Sequence, residues 1–230
     1  MKLVARFSRR MCLAFAIAGL LPVLAAQSLS LPEPVEWTWE VRPPSPLPDL
    51  PNVLLLGDSI TRAYYPQVSK DLEGIANIYL MATSTSIGDP RLPRQIAEFV
   101  SLEQIRFEVV HFNNGMHGWD YTEAQYRTGF PSFLHAIQKI PGHPRLIWAT
   151  TTQVQSDQSA GVSNTRIDAR NKIAVRFVQA TGIIIDDQHA LMAIHQDQHE
   201  DNVHYKESGA ALMGNQAAAT IRRELSKSRE

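Results

Sequence analysis

The chain reads as an α/β protein of three layers, with helices on both faces of a central sheet of five parallel strands. Three observations carry that reading. Strand-like and helix-like stretches alternate through most of the chain, the pattern of right-handed βαβ crossovers. The first strand-like stretch, Asn52-Val53-Leu54-Leu55-Leu56, is a continuous aliphatic run bounded by Pro51 and Gly57, as expected of a central strand buried on both faces. No internal repeat and no second domain interrupts residues 52–230, which are numerous enough for one domain with a sizeable core.

Residues 1–26 read as an export signal. Lys2, Arg6, Arg9 and Arg10 precede the apolar stretch 11–24, and Ala25-Ala26 offers small residues for cleavage. The apolar core is interrupted by Gly19 and Pro22 and is short for a span of ~20 residues, so a removed signal is expected rather than an anchor. Arg9-Arg10 leaves both general and twin-arginine export open, with the mature protein periplasmic or secreted. Removing this segment takes away four positive charges and no negative ones, so the formal net charge goes from −1 to −5. A mildly acidic mature chain argues against nucleic acid or an anionic membrane surface as the main partner. The single cysteine, Cys12, leaves with the signal, which excludes disulfides and thiol chemistry.

Residues 27–51 carry seven prolines and suit an extended leader. Within them, Val35-Glu36-Trp37-Thr38-Trp39-Glu40-Val41 has the alternation of a short edge strand or a packed arm. Further strands are expected at 75–81, 107–113, 146–151 and 182–185, with helices at 66–72, 92–102, 122–139, 166–180 and 206–225. Pro66 is expected to end a short helical stretch at 60–65 and to start the next helix.

Gly57-Asp58-Ser59 follows the first strand directly, so Ser59 stands at a strand-to-helix junction, where α/β sheets gather ligands. Asp201-Asn202-Val203-His204 leads into the last helix. A serine hydroxyl needs an imidazole to take its proton, and the imidazole needs a carboxylate to hold its tautomer, so Ser59, His204 and Asp201 form a candidate triad. Helix capping by Asp58 or Ser59 and by Asp201 is the structural alternative at each place. His195 and His199 have helical i, i+4 spacing close to His204, but no glutamate follows His195 as zincin sites require, so no metal and no cofactor are expected. Gly-x-Ser-x-Gly is absent, and Gly57 opens no dinucleotide-binding glycine motif.

In motif and position, Gly57-Asp58-Ser59 with Asp201-x-x-His204 resembles the SGNH/GDSL hydrolase family. The resemblance runs from about residue 52 to 225 and implies a flavodoxin-like strand order and ester hydrolysis. It further implies an oxyanion hole from the Ser59 N–H, the Gly88 N–H in Ser84-Thr85-Ser86-Ile87-Gly88-Asp89-Pro90, and the amide of Asn113 in His111-Phe112-Asn113-Asn114-Gly115-Met116-His117. Here His111 replaces the family's glycine and Asn114 its aspartate, so Asn114 is the alternative donor. Asp58, Asn114, His117 and Trp119 are candidate supporting or substrate-contacting residues. The implied activity is a serine esterase acting through an acyl-enzyme on carboxylic esters, among them O-acetyl groups on carbohydrates. An O-acyltransferase on glycans and a non-catalytic glycan-binding module remain the alternatives, and the oligomeric state stays open.

Overall fold

A computed structural model describes residues 29–158 and 161–227, so the expected export signal lies outside the described residues. Six strands form one sheet: β1 (Thr38–Val41), β2 (Asn52–Gly57), β3 (Asn77–Thr83), β4 (Val109–Phe112), β5 (Arg145–Ala149) and β6 (Ile184–Asp186). Their order is β1-β3-β2-β4-β5-β6. β2 to β6 are the five expected parallel strands, in the flavodoxin-like order with its switch point at β2 and β4. The sixth strand corrects the expectation of an all-parallel sheet. β1 comes from the proline-rich leader and pairs antiparallel with β3, Trp39 opposite Ala82. The alternating tryptophans thus build an edge strand, and the leader is part of the fold.

Alternation along the central strands sorts the core into two halves. Val53 and Leu55, with Ile78, Leu80, Val109 and Ile147, face one side, where helices α1 (Ser59–Asp71) and α6 (Glu207–Ser226) cover them. Leu54 and Leu56, with Tyr79, Met81, Val110, Phe112 and Trp148, face the other, beneath α2 (Leu92–Glu103), α3 (Glu123–Gln138) and α4 (Asn164–Ala180). A short helix, α5 (Gln188–Ala193), and a turn of 3-10 helix at Gln196–Gln198 complete the elements.

Pro66 does not divide α1, contrary to the sequence expectation. The helix runs unbroken from Ser59 to Asp71 with Pro66 inside it. Pro66 and Arg62 are both exposed, so the carbonyl that loses its i+4 donor to the proline is left to water instead of being buried unpaired.

Candidate active site

The backbone turns from β2 into α1 at Asp58, whose Oδ1 accepts the Ile60 N–H at 2.9 Å and caps the helix. Asp58 is 1% exposed, and its Oδ2 is enclosed without a partner. Ser59 is therefore the first helical residue, at the sheet's switch point, with an N–H that has no acceptor in its own helix.

His204 reaches Ser59 from the far end of the chain, its Nε2 2.8 Å from Ser59 Oγ. Its Nδ1 lies 2.8 Å from Asp201 Oδ2. This network assigns the tautomer: Nδ1–H donates to the carboxylate, and Nε2 accepts from the serine hydroxyl. Asp201 Oδ1 also accepts the Val203 and His204 N–H groups, each at 2.7 Å, so one carboxylate shapes the turn and orients the ring. Burial alone would raise the Asp201 pKa, but these hydrogen bonds and the His204 charge bring it down to about 2.

The segment after β5 pins this turn. The Ser156 N–H donates to Asn202 Oδ1 at 3.0 Å, the Gln155 N–H to the Asn202 carbonyl at 2.8 Å, and the Tyr205 hydroxyl to the Gln153 carbonyl at 3.0 Å. His199 lies between the Gln196 and Gln153 carbonyls and packs on Tyr205 with ring centres 4.2 Å apart. Its spacing from His195 thus belongs to packing, and no group of three metal-ligating side chains occurs among the described residues.

The two loops beside Ser59 are bound to each other by Asn114. Its Oδ1 accepts the Ile87 N–H and its Nδ2 donates to the Thr85 carbonyl, both at 2.9 Å. Gly88 has to be glycine here, because an added Cβ would lie 2.5 Å from Cγ of the Tyr121 ring. The Gly88 N–H rests on Ser86 Oγ at 3.2 Å.

Asn113 follows β4 directly and is tied to the neighbouring strand. Its Nδ2 donates to the Ala149 carbonyl at 2.6 Å and to Thr151 Oγ1 at 3.2 Å, so both amide hydrogens are committed to the end of β5. An amide so bound has no hydrogen left for an oxyanion. His111, in the place of the family's glycine, is wholly buried in β4 and pairs with Asp186 at 2.8 Å, a structural contact. The Arg170 guanidinium lies 4.4 Å and that of Arg166 5.3 Å from the Trp119 ring centre.

The N-terminal arm supplies residues that sequence reasoning passed over. Glu33 takes His117 Nδ1 at 3.1 Å and the Gly118 N–H at 2.9 Å. Ser30 donates to Asp89 at 2.6 Å, the Trp37 N–H to Ser84 Oγ at 2.9 Å, and the Thr85 hydroxyl to Glu36 at 3.0 Å. Arg62, one turn beyond Ser59, lies 5.4 Å from the Trp37 ring and 5.1 Å from the half-exposed Trp39. The alternating tryptophans were the only trace of this arm in the sequence; Glu33 and Glu36 carry no motif.

No family model matches the chain, and no curated protein does. Solved structures are similar to it. One is a lipase/acylhydrolase from Enterococcus faecalis, 20% identical over 76% of this chain and 96% of that one, with a TM-score of 0.62. Another is a carbohydrate esterase family 3 protein from Talaromyces cellulolyticus, 16% identical over 77% and 99%, TM-score 0.62. A member of the lipolytic protein G-D-S-L family from Veillonella parvula is 18% identical over 75% and 98%, TM-score 0.57.

Proposed function

We propose that this chain, which carries the fold of the SGNH/GDSL hydrolases, is a serine esterase that cleaves carboxylic esters through an acyl-enzyme. The observation that carries the reading is the continuous line Asp201–His204–Ser59, with 2.8 Å at each junction, ending on a helix N-terminus. Ser59 Oγ attacks the ester carbonyl while its proton passes to His204 Nε2, and the carbonyl π electrons move onto oxygen. The Ser59 N–H faces the resulting negative charge, and the Gly88 N–H joins it on turning from Ser86 Oγ. As the intermediate collapses, the C–O bond breaks and His204 returns the proton to the leaving alcohol. Water then repeats the sequence on the acyl-enzyme, freeing the acid and Ser59. Asp201 stays a carboxylate throughout the range in which an imidazole titrates, and so stabilises the charged form of His204.

Small acyl groups on carbohydrates are the substrates this reading favours. The chain without residues 1–26 is acidic, an aromatic and arginine cluster stands one turn from Ser59, and one structural relative is named as a carbohydrate esterase. Export through residues 1–26 belongs to the same proposal; no described helix is long and apolar enough to cross a membrane.

Aryl esters of increasing acyl length, with a serine-directed phosphonate as label, test the assignment. Ser59→Ala and His204→Ala are expected to lower turnover by about 10⁴ to 10⁶ and Ser59→Ala to abolish labelling. Ester hydrolysis retained in Ser59→Ala would sink it.

A further inference from the structure

With the Asn113 and Asn114 amides both engaged and the Gly88 N–H resting on Ser86 Oγ, the expected oxyanion hole is short of donors and has none from a side chain. His117, four residues past Asn113, is fastened as a donor would have to be. Arg170 holds the loop backbone, donating to the carbonyls of Gly115, His117 and Gly118 at 2.9, 2.8 and 2.9 Å. Glu33 holds the ring, with both carboxylate oxygens 3.1 Å from Nδ1, and the Trp37 ring meets it edge-on at 5.7 Å. Nδ1 therefore carries a hydrogen. Nε2 is enclosed by protein and has no partner.

Buried polar atoms in native proteins are nearly all paired, and an orphan calls for an explanation, a catalytic role among them. The surroundings narrow the choice. Asp58, bonded in sequence to Ser59, is close enough to act on His117 electrostatically, and its own Oδ2 is enclosed and unpaired. Gly118 lies against Ser86, where an added Cβ would be 2.3 Å from the serine's own, and Ser86 Oγ in turn takes the Gly88 N–H. The loop that carries His117 thus packs against the turn that ends in Gly88, one of the two loops beside Ser59. The charged groups around the ring are Glu33 and Glu36 from the arm, Asp58 from the β2–α1 turn, and Arg170 from α4. Burial pulls the His117 pKa down, but the Glu33 hydrogen bond and the charges of Asp58, Glu33 and Glu36 outweigh it, and the net shift is upward.

We propose that His117, oriented by Glu33 of the N-terminal arm, donates its Nε2–H to the ester carbonyl oxygen as that oxygen becomes an oxyanion, in the place expected of Asn113. This rests on the esterase reading above. With Nδ1–H held by Glu33, an Nε2–H makes the ring an imidazolium, and His117 keeps both hydrogens throughout; charge builds on the oxygen as Ser59 attacks and returns to the carbonyl on collapse. An N-terminal glutamate far away in sequence thereby becomes a positioning residue for catalysis.

The test measures kcat and KM for an aryl acetate across pH, with thermal midpoints, in the wild type and in Ser59→Ala, His117→Ala, His117→Gln, Glu33→Gln and Asn113→Ala. His117→Ala is expected to lower kcat by about 10² to 10³ with little change in KM, and His117→Gln, which retains an N–H, to recover part of it. Glu33→Gln removes the group that raises the His117 pKa, so the alkaline limb of its kcat profile is expected at lower pH. In His117→Gln that limb is expected to vanish. A folded His117→Ala with kcat near wild type, or a larger kcat loss in Asn113→Ala, overturns the proposal while leaving Ser59 in place. A wild type without esterase activity overturns the esterase reading and this one with it. Should His117→Ala not fold, the alkaline limbs of His117→Gln and Glu33→Gln decide.

Discussion

Arg170→Met removes the fastening of the loop after β4 while keeping the length of the side chain. The guanidinium is wholly buried and donates to four backbone carbonyls, three at 2.8 to 2.9 Å and that of Tyr121 at 3.3 Å. Charge-assisted bonds of this kind contribute about 1.5 to 3 kcal/mol each. Against them stands the desolvation of the cation, several kcal/mol, which also pulls the Arg170 pKa below the usual arginine range. Methionine fills the space, relieves the desolvation and strands the carbonyls. The net loss is expected at about 3 to 5 kcal/mol, the stranded carbonyls costing about 1 to 3 kcal/mol each and the relieved desolvation offsetting part of it. In a chain of this size that lowers the melting temperature by ~6 to 20 °C. Urea unfolding followed by tryptophan fluorescence, beside a calorimetric scan, measures it. Turnover is expected to fall as well, because the loop carries His117. A melting temperature within about 2 °C of wild type would show that desolvation cancels the bonds and that the loop is held by other contacts.

Gly88→Ala forces a methyl group against the ring of Tyr121, which cannot swing aside because its hydroxyl is bound to Asp89 and the Leu31 N–H; a loss of about 1 to 3 kcal/mol and lower kcat are expected in the same assays. Asp201→Asn is expected to cost about 10⁴ in kcat with the fold intact, by presenting the wrong His204 tautomer, and circular dichroism with steady-state kinetics separates the two. Asp186→Ala leaves His111 buried without its partner and strands Gln188 and Gln216, so chemical denaturation should show a loss of about 3 to 5 kcal/mol. Burial raises the Asp186 pKa, but His111 and the two glutamines more than reverse this. Its stabilising contribution is therefore fully present above the ordinary carboxylate range and is lost as pH falls through the lowered folded value; a stability profile of Asp186→Ala should lack that acid-side loss.

The five parallel strands were legible because an aliphatic run buried on both faces leaves few alternatives, and the meeting of Ser59, Asp201 and His204 because such residues stand in short motifs at element ends. Other features depend on contacts between residues far apart in the chain. Nothing near Glu33 signals His117, 84 positions away, and proline-rich composition conceals an arm whose hydrogen bonds are nearly all to distant loops. Pro66 misled because its cost depends on whether the freed carbonyl meets water, which only packing determines. Asn113 matched the motif in type and position, yet the Ala149 carbonyl, 36 residues on, claims its amide.

β1 has a consequence for how copies of this protein meet one another. Without it, β3, an apolar strand that includes Leu80 and Met81, would present an open row of backbone donors and acceptors, a template for another chain. β1 occupies that row and is itself a poor template, being four residues long and followed, after Arg42, by Pro43 and Pro44, which offer no N–H to a newcomer. The segment that orients His117 also closes the sheet to neighbours. A chain cut between Val41 and Asn52 would keep Ser59, Asp201 and His204 and yet be prone to cross-strand aggregation.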